Sequence, residues 1–535
     1  MLLGCVLALA MHWPLPLHMG RDIAKDTGDP LVQAWQIAWD GHALAHQPLS
    51  WFQANTFWPL RDSLAFSDAL VGYAPAGLIG HGAHAAVARY NALFLFAYAL
   101  CFVGAWLLAR ELGAGRGGAA VAGAAFAYCP WRLEQDGHLH VISSGGIPLS
   151  LFLLIRGYRR RSPSTIVAGW LVAAWQVSLG FSLGLLLLYL LALGAVAVAV
   201  VWWRRGRPSP PRRVVLATAA GVVVLLVVAA VLARPYLRVL HDHPEAHRTA
   251  AQVEVFSGPA QEFLAASKLD RVWSAALRPV RHSLGFVPEE TLFPGLAILA
   301  LAIVGFGWSR LARRLRIGLG VAVVVLAVLS IGFHGDWEQW LFPYRWLFAA
   351  LPGWQGIRVP GRLMTLTSLA LALLAAGGAD VAIAWARSRG AALGAVVAVL
   401  LFAVVLAEGW GFAPHPRAPL APAGLHGLPA PVFVLPASAP GNRRAVLWST
   451  DGFPDLVNGR GSFVPRQFVA LQRLAARFPD RASVSAFRRL GIRTVAVRHA
   501  RGAGTILRRS LNGLGIERQA RGDVVAYDLG GGLGP

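Results

Sequence analysis

The chain has 535 residues, of which 56% are hydrophobic and 14% are charged, and its mean hydropathy is +0.53. A soluble domain carries about a quarter charged residues, so the composition excludes an ordinary soluble enzyme and predicts extensive contact with lipid. The net charge of +23 would suggest nucleic acid in a soluble protein. Here the arginines gather in short links between apolar runs, where they set membrane topology, so no nucleic-acid partner is expected.

Apolar runs near the length of a bilayer crossing recur along the chain, since a spanning helix needs about 20 such residues. We predict a mainly α, polytopic protein with eleven spans, at 1–19, 88–109, 117–131, 141–157, 163–178, 181–203, 213–233, 292–308, 316–333, 363–386 and 391–410. The first run lacks a basic leader and a small-residue cleavage site, so we expect a retained helix and not a signal peptide.

The short links predict the orientation. Every second link is basic: RELGAGR, RGYRRRSP, RRGRPSPPRR, RLARRLR and RSRG. Basic links remain in the cytoplasm, which places the N-terminus there and puts the segments 20–87, 234–291, 334–362 and 411–535 outside. The arginine-rich, lysine-poor composition is typical of a GC-rich bacterium, so we expect a multi-pass protein of the bacterial inner membrane, with 1–410 as its transmembrane module.

The tail, 411–535, is predicted to be a small extracytoplasmic α/β domain. It opens with a Pro-rich linker at 413–431. PVFVLP, AVLWS, TVAVRH and VVAYDL have the composition of strands, whereas FVALQRLAARF and SVSAFRRLG have helical periodicity.

The first outer loop, 20–87, combines carboxylates with many aromatic residues. The carboxylates are Asp22, Asp26, Asp29, Asp40, Asp62 and Asp68. VQAWQIAWDGHAL spaces its apolar residues like an amphipathic helix lying in the membrane interface, and SDALVGYAPAGLIG is a candidate for a second. Anchoring at the headgroups explains the tryptophans, but it explains the carboxylates less well.

Several segments resemble bacterial GT-C glycosyltransferases: GDPLVQAWQIAW, HALAHQPLSWFQANTFWPL, LAFSDALVGYAP, RYNALFLFAYALCFVGAWLLARELG, GIRVPGRLMTLTSLALALLAAGG and LVNGRGSFVPRQF. The resemblance implies a membrane enzyme that transfers a sugar from a polyprenyl-phosphate-linked donor to a glycan, lipid or protein acceptor outside the cytoplasm. It also implies an acidic catalytic residue in the first outer loop, before two interfacial helices. Asp29 matches that position best, Asp26 is second and Asp22 third. The Asp-Glu pair of many family members is absent here.

A carboxylate suits this reaction, because the acceptor hydroxyl must lose a proton as the lipid phosphate leaves. A positioned general base contributes about a hundred- to ten-thousand-fold. The alternative role for Asp29 is to cap the helix that follows it.

The leaving phosphate calls for cations. Arg358 and Arg362, in GIRVPGR, lie at the predicted outer mouth of the tenth span, and arginine suits phosphate through its fixed fork of donors. Their alternative role is to reach the headgroups from a span end. Arg132, in PWRLEQDGHLH, is a further phosphate-binding candidate. Glu289 and Glu290, in GFVPEETLFPG, are expected to face the same cavity, and Glu290 is the candidate substrate contact of the two.

His138 and His140 stand beside acidic residues. Such a group could bind a metal, contact substrate or belong to a plain interfacial loop, and the sequence leaves these roles open. No metal ligand set and no cofactor is predicted. Mg²⁺ or Mn²⁺ would suit the carboxylates of the outer loops, but no ligand spacing requires either ion.

Two other function classes remain: a transporter or flippase of lipid-linked material, and a noncatalytic envelope assembly protein. A transporter should place ionisable residues inside its spans, whereas these spans are nearly free of charge. The glycine-rich VNGRGSFVP, at 457–465, either covers the active site or is a simple turn, and the turn is favoured.

Overall fold

The computed structural model describes residues 1–207, 209–334, 343–412, 414–499 and 503–530. Part of the predicted outer loop 334–362, one residue of the linker 413–431 and parts of the tail lie outside the described residues.

The described residues are mostly helical. The longer helices are α1 (Leu2–Met11), α2 (Asp29–His46), α3 (Gly82–Glu111), α4 (Arg116–Tyr128), α5 (Gly146–Arg160), α6 (Pro163–Val177), α7 (Phe181–Arg204), α8 (Arg212–Asp242), α9 (Leu296–Trp308), α10 (Arg313–Ser330), α11 (Pro343–Ala350), α12 (Met364–Arg387), α13 (Ala391–Glu408), α14 (Ala439–Trp448), α15 (Arg466–Ala475) and α16 (Arg481–Arg489). Shorter helices span Ala74–Gly77, Arg132–Gln135, Leu139–Ile142, Ala250–Glu254, Arg278–His282, Val287–Glu290 and Ala503–Leu507.

Each predicted span overlaps one of these helices. Within the described residues, six segments are long and apolar enough to cross a membrane: Gly82–Glu111, Leu139–Arg160, Phe181–Arg204, Arg212–Asp242, Pro360–Arg387 and Ala391–Glu408. Helices α1 and α9 are apolar but shorter. The mainly α, membrane-spanning class is therefore confirmed, and the count of eleven crossings stays a prediction.

The chain forms two compact units. We call the first the helical unit; it comprises Met1–Trp13, Leu93–Val231 and His247–Ala413. The second, the mixed unit, comprises Pro14–Ala92, Leu232–Ala246 and Pro414–Pro535.

Glycines allow two helices of the helical unit to pack closely. A Cβ at Gly305 of α9 would lie 1.8 Å from the carbonyl oxygen of Leu374 in α12, and one at Gly378 would lie 2.0 Å from that of Leu301. Packing between membrane helices depends on such small residues, because lipid supplies no hydrophobic driving force for association. The carboxylate of Glu408 accepts from the backbone of Leu296 and Ala297 and so caps α9.

The mixed unit contains a four-stranded sheet in the order β1-β2-β4-β3. The strands are β1 (Val432–Leu435), β2 (Thr494–Arg498), β3 (Glu517–Arg521) and β4 (Val524–Asp528). β1 and β2 are parallel, and the other two pairings are antiparallel. The predicted α/β tail is thus present.

The prediction of a strand at AVLWS is wrong. This segment forms the C-terminal end of helix α14. At the other end of the helix, the hydroxyl of the N-cap residue Ser438 accepts a hydrogen bond from the amide of Gly441. Asn442, Ala445 and Val446 are buried at helical spacing. Periodicity alone cannot assign a short apolar run to a strand or a helix. For AVLWS, the N-cap at Ser438 favours the helix.

The first loop and the tail share one hydrophobic core in the mixed unit. Trp35 and Trp39 of α2 cluster with Val434 of β1 and Val446 of α14. The predicted helix at VQAWQIAWDGHAL is therefore confirmed, although most of its residues are buried by protein. The second predicted helix, SDALVGYAPAGLIG, forms only a 3-10 turn at Val71–Tyr73 and a single α-helical turn after it.

Candidate functional site

Asp29 is the first residue of α2, and Gly28 occupies the N-cap, so Asp29 is not the capping residue of the alternative hypothesis. A carboxylate in the first turn is favoured by the helix dipole. Its side chain is 45% exposed, and Arg443 donates from Nη2 to its Oδ1 at 3.4 Å. Asp29 therefore combines access to solvent with an ionic partner from the tail.

Two segments of the tail bring arginines to Asp29. Arg443 lies on α14, and Arg460 lies in the glycine-rich loop 457–465. Burial lowers the pKa of the Arg460 guanidinium, neighbouring Arg443 lowers it further, and the charge of Asp29 opposes both. The three side chains thus form one electrostatic cluster, which we call the Asp29 cluster.

Asparagine side chains join the two arginine-bearing segments. Asn458 donates from Nδ2 to Oδ1 of Asn442 and to the carbonyl of Val434, both at 2.8 Å. Its Oδ1 accepts from the Val434 amide at 2.7 Å, and both asparagines are buried. The Asp29 cluster is therefore built on a rigid polar bridge between α14, β1 and the loop.

The other first-loop candidates have different partners; beyond its own segment, the backbone of Asp22 forms an isolated β-bridge with Arg417 of the tail. Asp22 is buried and pairs with Arg21 through two hydrogen bonds of 2.9 and 3.0 Å. The hydrogen bond from Arg21 lowers the pKa of Asp22. Asp26 is exposed and accepts from the amide of Gly28 at 2.7 Å, which shapes the turn before α2. Neither contact involves an arginine of the tail segments around Asp29.

A buried carboxyl within α2 has no candidate role from the sequence. Asp40 accepts from the indole of Trp51 at 2.7 Å, and its second oxygen has no partner within the described parts of the chain. Burial raises the pKa of Asp40 to about 7.

A second cluster of site candidates lies in the helical unit. Arg362 donates from Nη2 to Oε1 of Glu289 at 2.9 Å and from Nη1 to Nε2 of His140 at 3.1 Å. Gln135 donates to the other oxygen of Glu289 at 3.1 Å. The bond to His140 requires the neutral imidazole with its proton on Nδ1. We call this group the Arg362 cluster.

Charge balance in the Arg362 cluster favours ionised Glu289. Burial alone would raise the pKa of Glu289, but the positive charge of Arg362, the nearby imidazole of His138 and hydrogen bonds from Arg362 and Gln135 hold it below its ordinary value. His138 and His140 pack with ring centroids 5.8 Å apart. No group of three metal-ligating side chains occurs in the residues that the structure describes.

The remaining candidates differ in their surroundings. Arg358 is half-buried and lies over the ring of Phe256, 4.6 Å from its centroid. Arg132 is 1% exposed and donates to the carbonyl of Ile142 at 2.8 Å and to Ser144 at 3.2 Å. Its guanidinium is thus engaged inside the protein, and its phosphate-binding role stays a prediction.

Glu290 belongs to a buried acidic pair. One of its oxygens accepts from the amide of Gly285 at 2.9 Å. Glu262, fully buried, has no hydrogen-bond partner for either oxygen among the described residues. Burial, and then the charge of Glu290, raises the pKa of Glu262 to about 9.

Sequence reasoning missed Arg443, Arg460 and Glu262 as site residues. It noted Glu289 next to Glu290 but chose Glu290. No local pattern marks the two arginines, because their partner Asp29 lies more than 400 positions away along the chain. The GFVPEETLFPG segment does carry a signal for Glu289, since adjacent acidic residues before an apolar run need cationic partners when buried.

The fold is similar to that of solved membrane glycosyltransferases. The arabinofuranosyltransferase AftD from Mycobacteria is 16% identical, with a TM-score of 0.60, over 99% of this chain and 41% of that one. The apo oligosaccharyltransferase of Archaeoglobus fulgidus is 13% identical, with a TM-score of 0.52, over 93% of this chain and 69% of that one. This chain thus spans about two fifths of the length of the mycobacterial enzyme.

A third solved structure, ArnT from Cupriavidus metallidurans bound to undecaprenyl phosphate, is 14% identical, with a TM-score of 0.47, over 99% of this chain and 97% of that one. No family model and no curated protein matches the sequence. The first two matches show that the chain shares the fold of these two solved glycosyltransferases.

Proposed function

We propose that this chain of GT-C fold is a membrane glycosyltransferase that moves a sugar from a polyprenyl-phosphate-linked donor to an extracytoplasmic acceptor. The placement of Asp29 carries the proposal. It begins the first-loop helix, its side chain is partly exposed, and it pairs with Arg443. This is the position at which the GT-C resemblance implies an acidic catalytic residue.

In the proposed reaction, Asp29 is the general base. The acceptor hydroxyl oxygen attacks the anomeric carbon of the donor sugar, and the bond from that carbon to the phosphate oxygen breaks. The hydroxyl proton passes to the Asp29 carboxylate, and the negative charge leaves on the polyprenyl phosphate. A positioned carboxylate is suited to this proton transfer.

Cations for the donor phosphate come from the segment before α12. Arg362 has no partner for its Nε within the described parts of the chain, although its two Nη atoms donate to His140 and Glu289, and Arg358 lies over the ring of Phe256. Arginine donors of this kind bind phosphate oxygens in pairs. We assign donor-phosphate binding to Arg358 and Arg362, with His138 and Glu290 as neighbouring polar groups.

The proposed topology follows the arginine distribution of the sequence. The basic links lie in the cytoplasm of a bacterial cell, and the loop 20–87 and the tail lie outside. Asp29 and the tail arginines then share one side of the inner membrane, where a lipid-linked donor is used after its sugar has crossed.

Asp380 weighs against the transporter alternative. It is an ionisable residue within the α12 span, the kind of group that a transporter would use. Its carboxylate accepts from the amides of Gly115 and Gly118 at 2.5 and 3.2 Å. It therefore anchors the start of α4 and is occupied structurally.

The test uses the full chain reconstituted with polyprenyl-phosphate-linked sugars and an envelope extract as acceptor. An arabinofuranosyl donor is tested first, because the mycobacterial match is an arabinofuranosyltransferase. Asp29→Asn should fold, insert and lose at least a hundredfold in transfer rate. Wild-type transfer in that variant would remove Asp29 as the base, and movement of donor without covalent product would support transport instead.

A further inference from the structure

We propose that Arg443 and Arg460, both from the C-terminal segment, are positioning residues that keep the Asp29 carboxylate ionised and oriented for proton transfer. The inference rests on the proposed function, since it assigns these arginines to the base of that reaction. It makes transfer dependent on a charge supplied by the tail.

The contact between Arg443 and Asp29 is specific. The Nη2 to Oδ1 distance is 3.4 Å, and the Arg443 side chain is 21% exposed. A guanidinium that is mostly shielded from water attracts a carboxylate more strongly than a fully solvated one, because solvent screens it less. Asp29, at 45% exposure, remains open to an acceptor from outside.

A second arginine, Arg460, lies within the electrostatic range of Asp29. Burial and the charge of Arg443 lower the pKa of the Arg460 guanidinium, and the charge of Asp29 raises it. The two arginines repel each other, and the negative charge of Asp29 offsets that repulsion. The surroundings of Asp29 thus favour the negative form, which is the form a general base needs before it accepts a proton.

The backbone fixes both arginines in place. Arg443 directly follows the buried Asn442, and Arg460 lies two residues after the buried Asn458. The side chains of these two asparagines are hydrogen-bonded to each other. Between Asn458 and Arg460, a Cβ at Gly459 would lie 2.3 Å from the ring of Phe57 in the first loop. Because Gly459 has no side chain, the loop packs directly on that ring, and this contact fixes the loop of the tail against the first outer loop.

Two charged residues, Lys25 and Asp26, lie on the same segment as Asp29. Asp26 is engaged with the Gly28 amide, and Lys25 precedes it with a backbone φ of 69°. These local charges stay in place when the tail arginines are changed. The effect of an arginine variant on pH dependence can therefore be assigned to the tail.

The experiment compares Arg443→Gln, Arg443→Lys and Arg444→Gln in the full chain. Arg444 is the matched control, because it neighbours Arg443 on α14 and adjacent helical residues point in different directions. We expect Arg443→Gln to lose at least tenfold in kcat near neutral pH and to move the acid limb of its pH profile up by about one unit. Arg443→Lys should recover most of the rate, and Arg444→Gln should match the wild type.

The pH profile of Arg460→Gln provides a second test, which does not depend on the folding of α14. It should shift the acid limb in the same direction as Arg443→Gln. Unchanged pH profiles in both glutamine variants would overturn the inference, while an inactive Asp29→Asn would leave the proposed function standing. Full activity of Asp29→Asn would instead overturn both.

Discussion

Arg362 and Glu289 form a buried ion pair in the helical unit, with Nη2 and Oε1 2.9 Å apart and side chains 11% and 4% exposed. Gln135 donates a further hydrogen bond to Glu289, and Arg362 donates one to His140. Burying two charges is costly, so such a pair is retained only with good geometry and further partners. Its position just before α12 makes it a structural anchor for the arginine that we assign to the donor phosphate.

Breaking this pair from one side should destabilise the protein strongly. Glu289→Ala leaves the Arg362 guanidinium buried without its counter-charge, a change that typically costs about 3–5 kcal/mol. Glu289→Gln retains an acceptor for Arg362 and should cost less. Thermal unfolding in detergent checks the order, with the alanine variant expected to melt lowest. Equal melting temperatures for the two variants would show that the retained acceptor contributes nothing.

Glu262 should make stability fall as the pH rises. The pKa of its buried carboxyl is about 9 in the fold, against an ordinary value of 4.5. Between these values the folded protein holds a proton that the unfolded chain releases. Its contribution is full below pH 4.5 and is lost as the pH rises through 9, with a slope of at most about 1.4 kcal/mol per unit.

Glu262→Gln is neutral at every pH and should flatten this dependence. Melting temperatures of the variant and the wild type, measured from pH 5 to pH 9.5, should separate most at the alkaline end, where the variant is the more stable. Parallel curves would mean that Glu262 is ionised in the folded protein.

The first-loop carboxylates should separate by activity. Asp22→Asn weakens a local pair with Arg21, and Asp26→Asn changes an acceptor of the Gly28 amide. Both contacts lie outside the Asp29 cluster, so each variant should keep transfer within tenfold of the wild type. Comparison with Asp29→Asn in one assay decides the base. If Asp26→Asn alone abolishes transfer, the runner-up assignment is the right one.

Close packing under α2 should also be needed for activity. A Cβ at Gly41 would lie 2.1 Å from the backbone carbon of Gly77 in the turn Ala74–Gly77, where no flexible side chain can move aside. Gly41→Ala should therefore displace α2 and the Asp29 at its start, at a cost of at least 1–3 kcal/mol, the order typical of overpacking.

Gly318→Ala in α10 is the control for this substitution, since nothing lies within 4 Å of its Cβ position. Alanine there should be neutral or stabilise by about 0.5–1 kcal/mol, because it lowers the backbone entropy of the unfolded chain. A Gly41→Ala protein as stable and active as the control would show that α2 tolerates displacement.

Local sequence patterns predicted much of the fold. Helix α2 was predicted from the spacing of Trp35 and Trp39, and β2 from the β-branched run TVAVRH. Strand β3 was not predicted, because ERQAR is almost wholly exposed and lacks the alternation of a half-buried strand. At AVLWS the residues favour either element, and the cap at Ser438 decided for helix.

Composition, apolar periodicity and the arginine links by themselves determined a mainly helical membrane protein and a mixed α/β tail, and the GT-C resemblance singled out Asp29 as the candidate base. These are properties of neighbouring residues, which the chain displays before it folds. Only the tertiary structure decided that Arg443 reaches Asp29 and that Arg362 pairs with Glu289. Such contacts depend on how distant segments pack together, and the energy of a charge depends on the burial and partners that packing provides.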